Sequence, residues 1–106
     1  MLVTDIRTEG EIQSDILISI TALPGALFYR QNSGLFFTRT GRPVRAAVPG
    51  AADITGVYRG VPIAIEVKTA VGKQRREQAA FQRAWELAGG RYYIVRSVSD
   101  ALAALQ

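Results

Sequence analysis

The chain has 106 residues, a formal charge of +4, 48% hydrophobic and 21% charged residues, and neither histidine nor cysteine. That composition fits a folded chain of one domain's length. It excludes disulfides, thiol chemistry, Ser-His-Asp triads and zinc sites built from Cys and His. Hydrolysis on such a chain has to run on carboxylates, Lys, Gln and a hard cation with oxygen ligands.

In chain order, Thr8-Glu9-Gly10-Glu11 has the spacing of a capping box. It opens a predicted helix to about Leu23, with Ile12, Ile16 and Ile20 in one stripe. Pro24-Gly25 ends it. Leu27-Phe28-Tyr29-Arg30-Gln31 reads as a strand and Asn32-Ser33-Gly34 as a turn. Residues 35 to 50 admit two readings. Leu35-Phe36-Phe37-Thr38 and Val44-Arg45-Ala46 form a hairpin around Thr40-Gly41-Arg42-Pro43, or the stretch is an ordered basic loop. Either way it is expected to be exposed and to face a ligand.

The segments from Asp53 to Tyr58 and from Val61 to Lys68 predict an antiparallel hairpin turned by Arg59-Gly60. A helix follows from about Gln74 to Leu87, with Gln78, Phe81 and Trp85 on one face. Gly89-Gly90 suits its end. Tyr92 to Arg96 reads as a strand, and Ser97-Val98-Ser99-Asp100 as a second capping pattern before a short helix through Leu105. The predicted fold class is α/β: a mixed sheet of about four strands with helices on both faces. No linker or repeat interrupts it, so residues 1–106 are expected to form one domain.

Charge is distributed unevenly. Residues 1–29 hold Arg7 against Asp5, Glu9, Glu11 and Asp15. From Arg30 to Arg83 the bases are Arg30, Arg39, Arg42, Arg45, Arg59, Lys68, Lys73, Arg75, Arg76 and Arg83, against Asp53, Glu66 and Glu77. This asymmetry points to a polyanionic partner, although a solubilising basic surface has the same composition. No apolar run approaches the ~20 residues that cross a bilayer. No charged-then-apolar leader opens the sequence, so a reducing, cytoplasmic setting is expected, with no membrane and no nucleotide cofactor.

Alternation along Val61–Lys68 puts Ile63, Ile65 and Val67 on one side and Ala64, Glu66 and Lys68 on the other. A carboxylate and an ammonium on an apolar strand cost several kcal/mol of desolvation unless a partner, metal or water offsets it. Asp53 can bring a second carboxylate from the neighbouring strand. Converging at strand ends, Asp53, Glu66 and Lys68 can bind a divalent metal and aim a water at a phosphate. A partly exposed salt bridge between Glu66 and Lys68 is the plainer alternative. Glu11 is accounted for as the third helical residue of its capping box. Gln78 also reads as a core-edge cap, and Trp85 with Phe81 as core rather than a stacking platform.

Asp53 with Glu66-Val67-Lys68 resembles the core of the PD-(D/E)XK nucleases, and the whole chain resembles a stand-alone VRR-NUC domain within them. Gly50-Ala51-Ala52-Asp53 is similar to the family's Gly-x-Pro-Asp segment, with Ala52 in place of the usual Pro. Glu66-Val67-Lys68 matches the Glu-x-Lys strand, Gly72-Lys73-Gln74 and Gln78 the following loop and helix, and Glu11 the acidic residue of the first helix. The resemblance implies a metal-dependent DNA endonuclease of the phage type. Its substrate would be branched or flapped DNA, and stand-alone members look like homodimeric Holliday-junction resolvases.

The implied catalytic residues are Asp53, Glu66, Lys68, Gln78 and Glu11. Mg²⁺ or Mn²⁺ would be held by Asp53, Glu66, the Val67 carbonyl and, through water, Glu11. Arg30, Asn32, Arg39, Arg42, Arg45, Lys73, Arg75 and Arg76 are the residues expected on DNA. A monomeric flap or single-strand nuclease and a non-catalytic DNA-binding subunit are the rival readings.

Overall fold

The computed structural model describes residues 7–31, 35–45 and 48–106. Helix α1 (Glu9–Thr21) starts at a complete capping box. Thr8 Oγ1 accepts from the Glu11 N–H at 3.2 Å, and the Thr8 hydroxyl donates to Glu11 Oε1 at 3.0 Å. Ile12, Ile16 and Ile20 are its buried stripe. The helix stops at Thr21, short of Leu23, because the Leu23 N–H donates to Ile20 O, a tighter turn than the helix allows.

The chain continues through strands β1 (Ala26–Arg30), β2 (Leu35–Phe37), β3 (Pro43–Arg45), β4 (Ile54–Tyr58) and β5 (Val61–Val67). Helix α2 (Arg76–Leu87), strand β6 (Arg91–Val95) and helix α3 (Val98–Ala104) complete it. β1, β4, β5 and β6 form one sheet in that order, with β1–β4 and β4–β5 antiparallel and β5–β6 parallel. A parallel pair needs a crossover, and α2 supplies it. β2 and β3 form a separate antiparallel hairpin, which settles the two readings of that stretch for residues 35–45. The Asn32-Ser33-Gly34 turn and Ala46 lie outside the described residues.

The alternation along β5 sorts the layers. Ile63, Ile65 and Val67 pack with Phe28, Ile54 and Val95 beneath α1 and α3. Ala64 faces the other way with Ala52 and Tyr92, and Phe81 and Trp85 of α2 lie over them. Glu66 and Lys68 share the parity of Ala64 and are 1% and 4% exposed. Two charged groups are thus buried on the side of the sheet that faces α2. α2 begins at Arg76, later than the sequence suggests, because Gln78 Oε1 accepts from the Arg75 N–H at 2.8 Å and makes Arg75 the cap. Asp53 stands just before β4 rather than in it. Its carbonyl accepts from the Gln31 N–H at 2.7 Å and so remains tied to the end of β1.

Candidate active site

The buried end of β5 gathers the charged groups. Asp53 Oδ2 accepts from the Val67 N–H at 2.8 Å, which fixes its carboxylate against the strand. Gln78 Nε2 donates to Glu66 Oε1 at 2.8 Å, and Lys68 Nζ lies 3.9 Å from the same oxygen. Glu66 Oε2 is buried and has no hydrogen-bond partner among the described residues. The first residue of α1 adds a third carboxylate: one oxygen from each of Glu9, Asp53 and Glu66 lies within 4.8 Å of the others.

The three carboxylates line a cleft of about 490 Å³ together with Pro49, Gly50, Arg75 and Gln78. Gly50 closes the wall with φ +74°, and a Cβ there would sit 2.1 Å from the Glu77 carbonyl oxygen. Any side chain would push the wall away from the start of α2. Inside the cleft the Glu66 carboxyl is pushed up to about 8. Burial is the main cause, Asp53 adds to it through its charge and through a hydrogen bond that the protonated form makes with it, Lys68 opposes them, and Glu9 adds a little.

A hard divalent cation fits this donor set. Three carboxylates that repel one another offer oxygen ligands, and no donor among the described residues reaches the buried Glu66 Oε2. The ammonium lies 3.9 Å from the other oxygen of Glu66.

A solved structure described as a VRR_NUC domain aligns with 90% of this chain and 90% of its own length, with a TM-score of 0.63 and 24% sequence identity. The fold is that of a VRR-NUC domain. No model of a known protein family and no curated protein sequence matches the chain.

Within this VRR-NUC fold, Asp53, Glu66 and Gln78 line the cleft, and Lys68 Nζ lies beside the Glu66 carboxylate. Val67 is bound to Asp53 through its N–H. Glu11 is held in the capping box, and the α1 carboxylate at the cleft is that of Glu9. Arg75 lines the cleft, while Arg76 at the start of α2 and Lys73 in the preceding loop are exposed beside it. Arg39 and Arg42 are exposed at the turn of the β2–β3 hairpin, and Arg45 lies on β3. Arg30 Nη2 donates to Ser14 Oγ at 2.8 Å, joining β1 to α1. Asn32 lies outside the described residues. Glu9 carries no site role in the sequence reading, and Gly50 enters it only as the glycine of the segment before Asp53. The usable signal for Glu9 is that the capping box consumes Glu11, leaving Glu9 as the other carboxylate in the first turn.

Proposed function

We propose that the chain is a divalent-metal-dependent endonuclease that hydrolyses phosphodiester bonds in structured DNA, working as a homodimer on four-way junctions like a Holliday-junction resolvase. The observation that carries the reading is the buried Glu66 Oε2 beside Asp53 and Glu9, reached by no donor among the described residues, with Lys68 on the other carboxylate oxygen.

Glu66, Asp53 and Glu9, with the Val67 carbonyl, would hold Mg²⁺ or Mn²⁺. When bound, the cation supplies Lewis acidity, offsetting charge on the phosphodiester and easing deprotonation of water. Gln78 donates to Glu66 Oε1 and so would leave Oε2 to take the cation. Lys68 positions the attacking water and stabilises charge on the phosphate as the bond breaks. Its burial keeps that ammonium from being screened by bulk water. Arg75 at the cleft, with Lys73 and Arg76 beside it, contacts the flanking phosphates. Arg39, Arg42 and Arg45 on the hairpin grip the backbone farther away.

Two copies about a twofold axis would present two clefts to symmetry-related strands of a junction. Leu27 and Tyr29 on the outer strand β1, 69% and 55% exposed, supply apolar surface for that pairing.

The test is cleavage of labelled four-way junction, 5′-flap, single-strand and plain duplex DNA with Mg²⁺, Mn²⁺ or EDTA, using wild type and Glu66→Ala. Metal-dependent cutting of the junction that Glu66→Ala lacks supports the proposal. Cutting confined to flaps or single strands replaces the junction with those substrates. Tight binding without cutting under any metal makes the chain a DNA-binding subunit instead.

A further inference from the structure

We propose that Arg96 is a positioning residue for Lys68, acting through the loop between β5 and α2; its effect on catalysis rests on the nuclease reading above. Arg96 Nη1 donates to two backbone carbonyls of that loop, Thr69 O at 2.5 Å and Gly72 O at 2.8 Å. The guanidinium is itself anchored at its root, where the Arg96 N–H donates to Asp100 Oδ2 at 2.9 Å in the first turn of α3. The loop is folded tightly between the two clamped carbonyls, because the Gly72 N–H donates to Thr69 O at 3.1 Å.

That small turn lies on the stem of Lys68. A Cβ built on Gly72 would sit 3.4 Å from Lys68 Cδ. On its other side the Lys68 N–H donates to Val95 O at 2.9 Å, which holds the residue to β6. The backbone of Lys68 is therefore tied to the sheet, and its stem runs beside a turn that Arg96 holds down.

The turn matters because the charge partner of Lys68 does not anchor it. Nζ stands 3.9 Å from Glu66 Oε1, beyond hydrogen-bond length, and that oxygen already accepts from Gln78. That leaves the surroundings of the methylene stem, the turn at Gly72 among them, to place the ammonium. Arg96 touches neither the carboxylates nor the cleft. Its contribution is to keep a long, flexible side chain in one rotamer, where a displacement of about 1 Å can cost a hundredfold in rate.

The experiment compares wild type, Arg96→Ala and Arg96→Lys by three readouts. These are acylation of the Lys68 amine followed by mass spectrometry, amide exchange of residues 69–73, and steady-state cleavage with Mn²⁺ titrated. In Arg96→Ala, Lys68 acylation and loop exchange should rise about tenfold or more, and kcat should fall about 10- to 100-fold. Half-saturation by Mn²⁺ should not move, because Glu9, Asp53 and Glu66 lie outside the loop. Arg96→Lys retains a cationic donor and should recover part of each effect. Acylation and exchange unchanged in Arg96→Ala would overturn the latch. Raised acylation with a wild-type kcat would overturn the positioning role. Failure of the nuclease reading looks different: wild type would then cut no DNA, and acylation and exchange would still decide whether Arg96 holds Lys68.

Discussion

Gln78 Nε2 donates to Glu66 Oε1 across 2.8 Å, while Oε1 of the same amide accepts from the Arg75 N–H at 2.8 Å. One side chain thus starts α2 and fixes the buried carboxylate of β5. The orientation of the amide follows, since only its nitrogen can donate to a carboxylate and only its oxygen can accept from an N–H.

Gln78→Ala removes both bonds. It should cost about 1–3 kcal/mol of stability and lower the cleavage rate about 10- to 100-fold. Thermal unfolding and single-turnover cleavage check this. A variant equal to wild type in both would make the bridge idle.

The raised carboxyl of Glu66 sets a pH dependence for the metal-free protein. Its folded value of about 8 lies above the ordinary 4.5. Between these values the folded state holds a proton that the unfolded state has released. The stabilisation is complete below about 4.5 and is lost as pH rises through about 8. Denaturant unfolding of metal-free protein from pH 5 to about 8.5 should show stability falling on the order of a few kcal/mol. Glu66→Gln, neutral throughout, should flatten the profile and unfold later than wild type at the alkaline end. A wild-type profile that rises across this window would contradict the assignment.

Glu9 and Glu11 separate by role although they share one turn of helix. Glu9 belongs to the acidic group and Glu11 to the cap. Glu9→Gln should weaken Mn²⁺ binding with little effect on folding. Glu11→Gln should leave Mn²⁺ binding alone and cost at most about 1 kcal/mol through the cap. Calorimetric titration of both variants decides the matter, and a reversal of the two effects would return the metal role to Glu11.

Gly50→Ala should destabilise the fold by more than about 1 kcal/mol, because the site combines a left-handed φ with a carbonyl 2.1 Å from the added carbon. Cleavage should fall with it, since the wall carries Pro49 and Ala51 into the cleft. Unfolding by urea measures the first effect. Gly41→Ala, also at positive φ but with open space around it, serves as the steric control.

Much of this was legible in the sequence because it depends on short-range periodicity. A period of two places Glu66 and Lys68 on one face of β5, and the Thr8–Glu11 pattern marks the start of α1. Spacing along α2 likewise put Gln78 with Phe81 and Trp85 on the face that meets the sheet. What stayed hidden depends on how distant elements meet. Nothing in the order of residues says how far the start of α1 reaches over the sheet, so Glu9 is not legible as a carboxylate at the cleft, although the capping box already accounts for Glu11. The contacts from Arg96 to Thr69 and Gly72 join residues far apart in the chain, and no periodicity records them. The contact of Gly50 with Glu77 is hidden for the same reason.

The most direct measurement is calorimetric Mn²⁺ titration of wild type and Glu66→Gln at about pH 8, with folding of both verified by circular dichroism. Wild type should bind with saturable heat, and Glu66→Gln, which keeps its shape and loses the charged oxygen, should bind at least about tenfold more weakly. Equal affinity in the two proteins would mean that the buried Glu66 carboxylate does not hold the cation, and the metal-dependent reading of the cleft would fall.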